Sequence, residues 1–162
     1  NELIKNSSNV GIVLQAYLHR TYSDLKNLKN LNNLNFRICK GIYNESSEIA
    51  FKDSEDINRN YLKIVEYAFQ NNIYIGIATH DKRLIKQCYQ LIDKYNIDTS
   101  NFEFQVLYGV PIEEYLNKHK EKKYNIRVYI PYGKDWYKYS LRRIKENPNI
   151  LKYVLKNLFK LQ

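Results

Sequence analysis

Apolar and polar residues alternate in five short runs along this chain, and between the runs the repeat lengthens to that of a helix. Residues 10–18 (VGIVLQAYL), about 35–42 (within NFRICKGIY), 73–79 (within IYIGIATH), 102–108 (within FEFQVLYG) and 127–130 (RVYI) read as strands. A weak Asn- and Lys-rich helical pattern covers 21–33, and a polar loop covers 44–54. The helix expected at 55–71 carries Ile57, Tyr61, Val65, Ala68 and Phe69 along one stripe. Leu84, Cys88, Leu91 and Tyr95 share a face of the helix expected at 81–95. Pro111 opens a helix to about Lys120. Asp135 as N-cap and Pro148 as stop bound another over 135–147, and 149–162 form a last amphipathic helix.

Strand–helix units in this order, with no hairpin signal between them, predict a parallel α/β fold and a single domain over 1–162. Each strand has one apolar face: Ile12/Leu14/Ala16, Phe36/Ile38, Ile73/Ile75/Ile77, Phe102/Phe104/Val106 and Ile126/Val128/Ile130. The alternate faces of four strands carry Gln15 and Tyr17, Arg37, Glu103 and Gln105, and Arg127 and Tyr129; the third shows Tyr74, Gly76 and Ala78 instead. A doubly wound sheet is covered by helices on both sides, and its strands tend to be apolar throughout. Polar side chains repeating on one face favour a (β/α)8 TIM-type barrel with a polar interior and its reactive groups at the strands' C-terminal ends. A sheet with one wet face is the alternative. Five units are visible, so the expectation is the C-terminal part of a barrel, with three more units ahead of Asn1.

On the helix over 135–147, Tyr137, Leu141 and Ile144 fall on one side, and Tyr139, Arg142, Arg143 and Glu146 on nearly the opposite side. That polar face reads either as a solvated surface with an Arg142–Glu146 pair or as an anion site. Adjacent guanidinium forks suit a carboxylate or a phosphate. Spacing does not choose between them.

A chain of 162 residues with 44% hydrophobic content can build one core, and its formal charge of +9 raises the prospect of anionic partners. The lysines are dispersed, with the densest run at Lys118–Lys123, and nucleic-acid binding is not expected. Cys39 and Cys88 show no metal or disulfide spacing and read as two reduced thiols of a cytoplasmic protein; His19, His80 and His119 show no ligand spacing. No apolar run approaches the ~20 residues of a membrane span. The sequence starts without Met, in NELIKNSS, and is read as a fragment.

In order along the chain, GIVLQAYL at 11–18, RxxKGxY at 37–43, ATH at 78–80, FEFQVLYG at 102–109, and RVYIPYG followed by YxxRRxxE at 139–146 resemble the proline dehydrogenase family. The chain is similar to the family's C-terminal portion, from about the fourth barrel strand onward. The resemblance implies an FAD-holding barrel that oxidises L-proline to Δ1-pyrroline-5-carboxylate and passes electrons to a quinone. It implies that Arg142 and Arg143 clamp the proline carboxylate, with Glu146 as their partner, and that Tyr139, Tyr129, Tyr43 and Leu107 wall the ring. Arg37 would sit near the flavin N5 and serve catalysis. Gln15, Lys40, Gly41, Thr79 and His80 match positions that hold FAD.

Two departures stand out. Asp81 follows ATH where the family often has Asn, which either sets a carboxylate near the pyrophosphate or caps the helix. Ile42 replaces a usually small residue. A pyrroline-5-carboxylate dehydrogenase would act downstream. The basic terminal helix is expected either to touch the inner face of a membrane or to pack back on the barrel. The competing readings are another (β/α)8 enzyme using the arginine pair on a phosphorylated substrate, and a basic module that binds RNA or another polyanion.

Overall fold

Strands form where the alternation is sharpest, and they stop earlier than the sequence suggests. The computed structural model describes residues 10–28, 34–108, 113–130, 132–134, 137 and 141. Its strands are β1 (Ile12–Gln15), β2 (Asn35–Cys39), β3 (Tyr74–Ala78), β4 (Phe102–Leu107) and β5 (Ile126–Tyr129). The first strand ends at Gln15 because the chain turns there. Tyr17 N–H donates to the Lys40 carbonyl, and Leu18 forms an antiparallel bridge with Ala50.

The sheet order is β1-β2-β3-β4-β5, and every pairing is parallel. Sequential order with no reversal is that of consecutive barrel units, whereas a doubly wound sheet reverses at a switch point. Right-handed crossovers then place the connecting helices on one face. These helices are α1 (Thr21–Leu28), α2 (Ser54–Gln70), α3 (Lys82–Tyr95) and α4 (Glu113–Glu121).

The outward strand residues Phe36, Ile38, Ile75, Ile77, Phe102 and Phe104 are buried against Leu25 of α1, Tyr61, Ile64, Val65 and Ala68 of α2, and Leu84, Ile85, Cys88 and Ile92 of α3. Of the stripe expected on α2, Tyr61, Val65, Ala68 and Phe69 are buried and Ile57 is half-buried. On α3 the buried face is turned from the expected one. Ile85, Tyr89 and Ile92 join Leu84 and Cys88, while Leu91 and Tyr95 lie half-buried at its margin, where the Tyr95 hydroxyl donates to Glu66. The wider face is needed because α3 also packs on an aromatic group containing Phe104, His119 and Tyr124. Free Cys88 is wholly buried within this layer, and burial pushes its thiol up to about 12.

Caps fix two helix starts. Asp53 accepts from the N–H groups of Glu55 and Asp56, and Asp81 from those of Arg83 and Leu84. Of the helix expected over 135–147, Tyr137 and Leu141 are described and helical, and both are exposed where the pattern predicts a packing face. Residues 149–162 and the expected start at Pro111 lie outside the described residues.

Candidate active site on the inner face of the sheet

Strand register decides which side chains share the inner face. Val13 pairs with Arg37, Arg37 with Gly76, and Gly76 with Glu103, which makes one row across four strands. Toward the C-terminal ends a second row contains Gln15 and Cys39 on β1 and β2, then Ala78, Gln105 and Arg127 on β3 to β5. A third, at the strand ends, pairs Leu107 with Tyr129. The polar positions read from alternation therefore lie on a common face. Cys39 joins them, a residue that alternation alone would have found.

Within these rows the charged groups are wired together. Arg37 Nε donates to Gln105 Oε1 at 2.8 Å. Gln105 Nε2 donates to Glu103 Oε1 at 2.7 Å, and Arg127 Nε donates to the same oxygen at 2.6 Å. Tyr74 also hydrogen-bonds Glu103. The Glu103 side chain is only 8% exposed. Burial acts to raise its pKa, yet the bonds from Arg127 and Gln105 outweigh burial and hold the carboxyl below its ordinary range. A buried carboxylate is tolerated here because its oxygens are bonded.

His80 lies where β3 gives way to α3 and reaches β4, where Leu107 N–H donates to its Nε2 at 3.2 Å. With Nε2 accepting, the neutral ring carries its proton on Nδ1, and Nδ1 is buried without a hydrogen-bond partner among the described residues. Burial first, and the nearby Arg37 charge second, push the imidazole pKa down, so the ring is neutral. Thr79 is buried, and its hydroxyl accepts from Asp81 N–H.

Lys40 Nζ lies 2.6 Å from Asp81 Oδ2. Of the two roles open to Asp81, the structure displays the cap, and it adds the ion pair. The N–H groups of Arg83 and Leu84 are occupied by the Asp81 carboxylate, so they are not open to a phosphate.

Gly41 has φ +106°, and a Cβ there would fall 2.1 Å from a ring carbon of Tyr17; glycine is needed on both counts. Ile42 and Tyr43 are exposed on the following loop, and Tyr43 neighbours Tyr17 electrostatically.

The structure thus brings Arg37, reaching from the first row to Gln105, together with His80, Leu107 and Tyr129 nearer the strands' C-terminal ends, with half-buried Gln15 in the row beside Cys39. Tyr43 lies on the loop after β2, 61% exposed. Tyr139, Arg142, Arg143 and Glu146 lie outside the described residues. Sequence reading misses the Arg37–Gln105–Glu103–Arg127 chain and the space above Gly76. A small residue facing long polar ones on both neighbouring strands is the available signal.

Residues 1–154 match a family model described as proline dehydrogenase. Proline dehydrogenase 2 of Bacillus subtilis (strain 168) is 42% identical over 156 residues, covering 96% of this chain and 51% of its own. The proline dehydrogenase of Deinococcus radiodurans is 36% identical over 154 residues, covering 95% and 49%. Among solved structures, proline utilization A from Bdellovibrio bacteriovorus inactivated by N-propargylglycine superposes with a TM-score of 0.77 at 28% identity. That match takes in 90% of this chain and 18% of that one. The chain spans about half the length of the curated relatives it matches. With a family match across nearly its whole length and a sheet of barrel order, the chain belongs to the proline dehydrogenase family.

Proposed function

We propose that residues 1–162 form one domain, the C-terminal part of an FAD-holding barrel that oxidises L-proline to Δ1-pyrroline-5-carboxylate. In that reaction C5 of the ring gives up a hydride, the ring nitrogen gives up a proton, and a C5=N double bond forms. A bound flavin would supply the hydride acceptor, with a quinone as the final acceptor of the electrons.

The observation that carries this reading is Arg37. It stands on the inner face, held at Nε by Gln105, and its charge bears on His80. The fit to a flavin dinucleotide rests on His80. Its buried Nδ1–H has no partner among the described residues, and leaving such a donor unpaired costs about 1–3 kcal/mol. An acceptor on the cofactor would satisfy it. Lys40, one-third exposed and braced by Asp81, suits an anionic portion of the same ligand. Gln15, Gly41 and Thr79 would complete the cradle. At Gly41 the Tyr17 ring takes the space of the missing side chain, so its part would be to shape the loop beside Lys40.

Arg142 and Arg143 would grip the proline carboxylate, with Glu146 holding one fork. Tyr139, Tyr129, Tyr43 and Leu107 would enclose the ring, so that C5 is fixed against its acceptor. Arg37 would place fixed positive charge where reduction adds electrons.

Among the described residues no helix is long and apolar enough to cross a membrane. The proposed site of action is the cytoplasm, with peripheral contact at the inner membrane face through residues 149–162. A pyrroline-5-carboxylate dehydrogenase would take the product. The test is direct: the purified intact protein should be yellow and lose its flavin absorbance when proline is added without air. A colourless protein, or one indifferent to proline, overturns the proposal.

A further inference from the structure

Arg37 and Gln105 belong to β2 and β4, two strands that do not touch. Adjacent strands lie about 4.8 Å apart, so a β2–β4 bond must pass over β3, whose side chains on that face normally stand in the way. Here the intervening position is Gly76, in register with Arg37 on one side and Glu103 on the other. A Cβ at residue 76 would lie 2.4 Å from Gln105 Nε2 and 3.0 Å from its Cδ. The amide of Gln105 therefore occupies the space that the missing side chain leaves.

The direction of that amide is also determined. Glu103 is ionised, and a carboxylate only accepts. It takes the Nε2–H of Gln105 at 2.7 Å, which turns the amide oxygen toward Arg37. Arg127, at 2.6 Å from the same Glu103 oxygen, keeps the carboxylate ionised and in place. Reversing the amide would set an N–H against the guanidinium and an oxygen against the carboxylate.

We infer that Gln105, oriented by Glu103 and admitted by Gly76, is the positioning residue that fixes Arg37 relative to the flavin. In this role Gln105 acts through Arg37. The inference rests on the reading that Arg37 faces the flavin.

The experiment is a double-mutant cycle in the intact flavoprotein, read as the two-electron midpoint potential of the bound flavin. Gln105→Leu removes the acceptor at similar volume; Gln105→Met takes its place if that variant does not fold. The expected result is a flavin that remains bound but is about tenfold harder to reduce, a negative shift of roughly 30 mV. Gly76→Ala should shift the potential the same way. In an Arg37→Met background, neither substitution should shift it further, because their effect passes through Arg37. A purely structural role would lower thermal stability and leave the potential unmoved. Three results overturn the inference: no shift in Gln105→Leu or its Met substitute, no shift in Gly76→Ala, or additive shifts in the double variants. If Arg37→Met itself leaves the potential unchanged, the flavin-facing reading of Arg37 falls, and the inference falls with it.

Discussion

Asp81 caps helix α3 and, through its other carboxylate oxygen, holds Lys40 Nζ at 2.6 Å. One residue thus starts a helix and anchors the loop that leaves β2. Asp81→Ala should cost at least about 1 kcal/mol, the usual worth of a cap. Asp81→Asn, which keeps an acceptor for the helix N–H groups, should cost less while releasing Lys40. Urea unfolding of the intact protein measures both, and equal losses in the two variants would show that the ion pair and not the cap is what matters.

Gly41→Ala faces two penalties together: a backbone at φ +106° and a new methyl group driven against the Tyr17 ring. A loss of about 1–3 kcal/mol is expected. Thermal unfolding reads it, and an unchanged midpoint would mean that this loop does not hold the described conformation.

His119 gives the fold an acid-sensitive point. Its ring is 3% exposed, stacks on Phe104, and shares a 2.7 Å hydrogen bond with the Tyr89 hydroxyl. Burial, then the Lys118 charge, lowers its pKa to about 4 from 6.5. The unfolded chain therefore takes up a proton below pH 6.5 that the folded chain refuses until about pH 4. Stability from this residue is whole above pH 6.5 and drains away between those limits, by at most roughly 3 kcal/mol. His119→Gln should flatten that part of the stability–pH profile relative to the parent. Parallel profiles would reject the assignment.

Arg142→Met and Arg143→Met should each raise KM for proline roughly tenfold or more, the scale of a lost charge-assisted hydrogen bond, with flavin content unaltered. Steady-state kinetics with matched flavin absorbance tests this. Undiminished proline affinity in both variants would remove them from the carboxylate grip.

What the sequence discloses, and what it hides, follow from the range of each signal. Alternation is local, so the shared face of Arg37, Glu103, Gln105 and Arg127 is legible in the order of residues alone. Their bonding is not, because it depends on register between strands far apart in the chain: Arg37 and Gln105 are 68 residues apart. Gly76 looks like an exception to the polar pattern and is the space the pattern requires. On α3 the period points to Leu91 and Tyr95, but packing against Phe104 and Tyr124 turns the buried face toward Tyr89 and Ile92. Sequence offers Asp81 either a place near the pyrophosphate or a helix cap; its bond to Lys40, 41 residues away, arises only when the ends of β2 and β3 lie side by side.

The two cysteines lie on opposite sides of the same sheet, Cys88 sealed beneath α3 and Cys39 half-buried on the inner face. An alkylating reagent should reach Cys39 first, from the inner face, and Cys88 only when helices lift from strands. The protein carries built-in reporters of which layer loosens first, with no label to install.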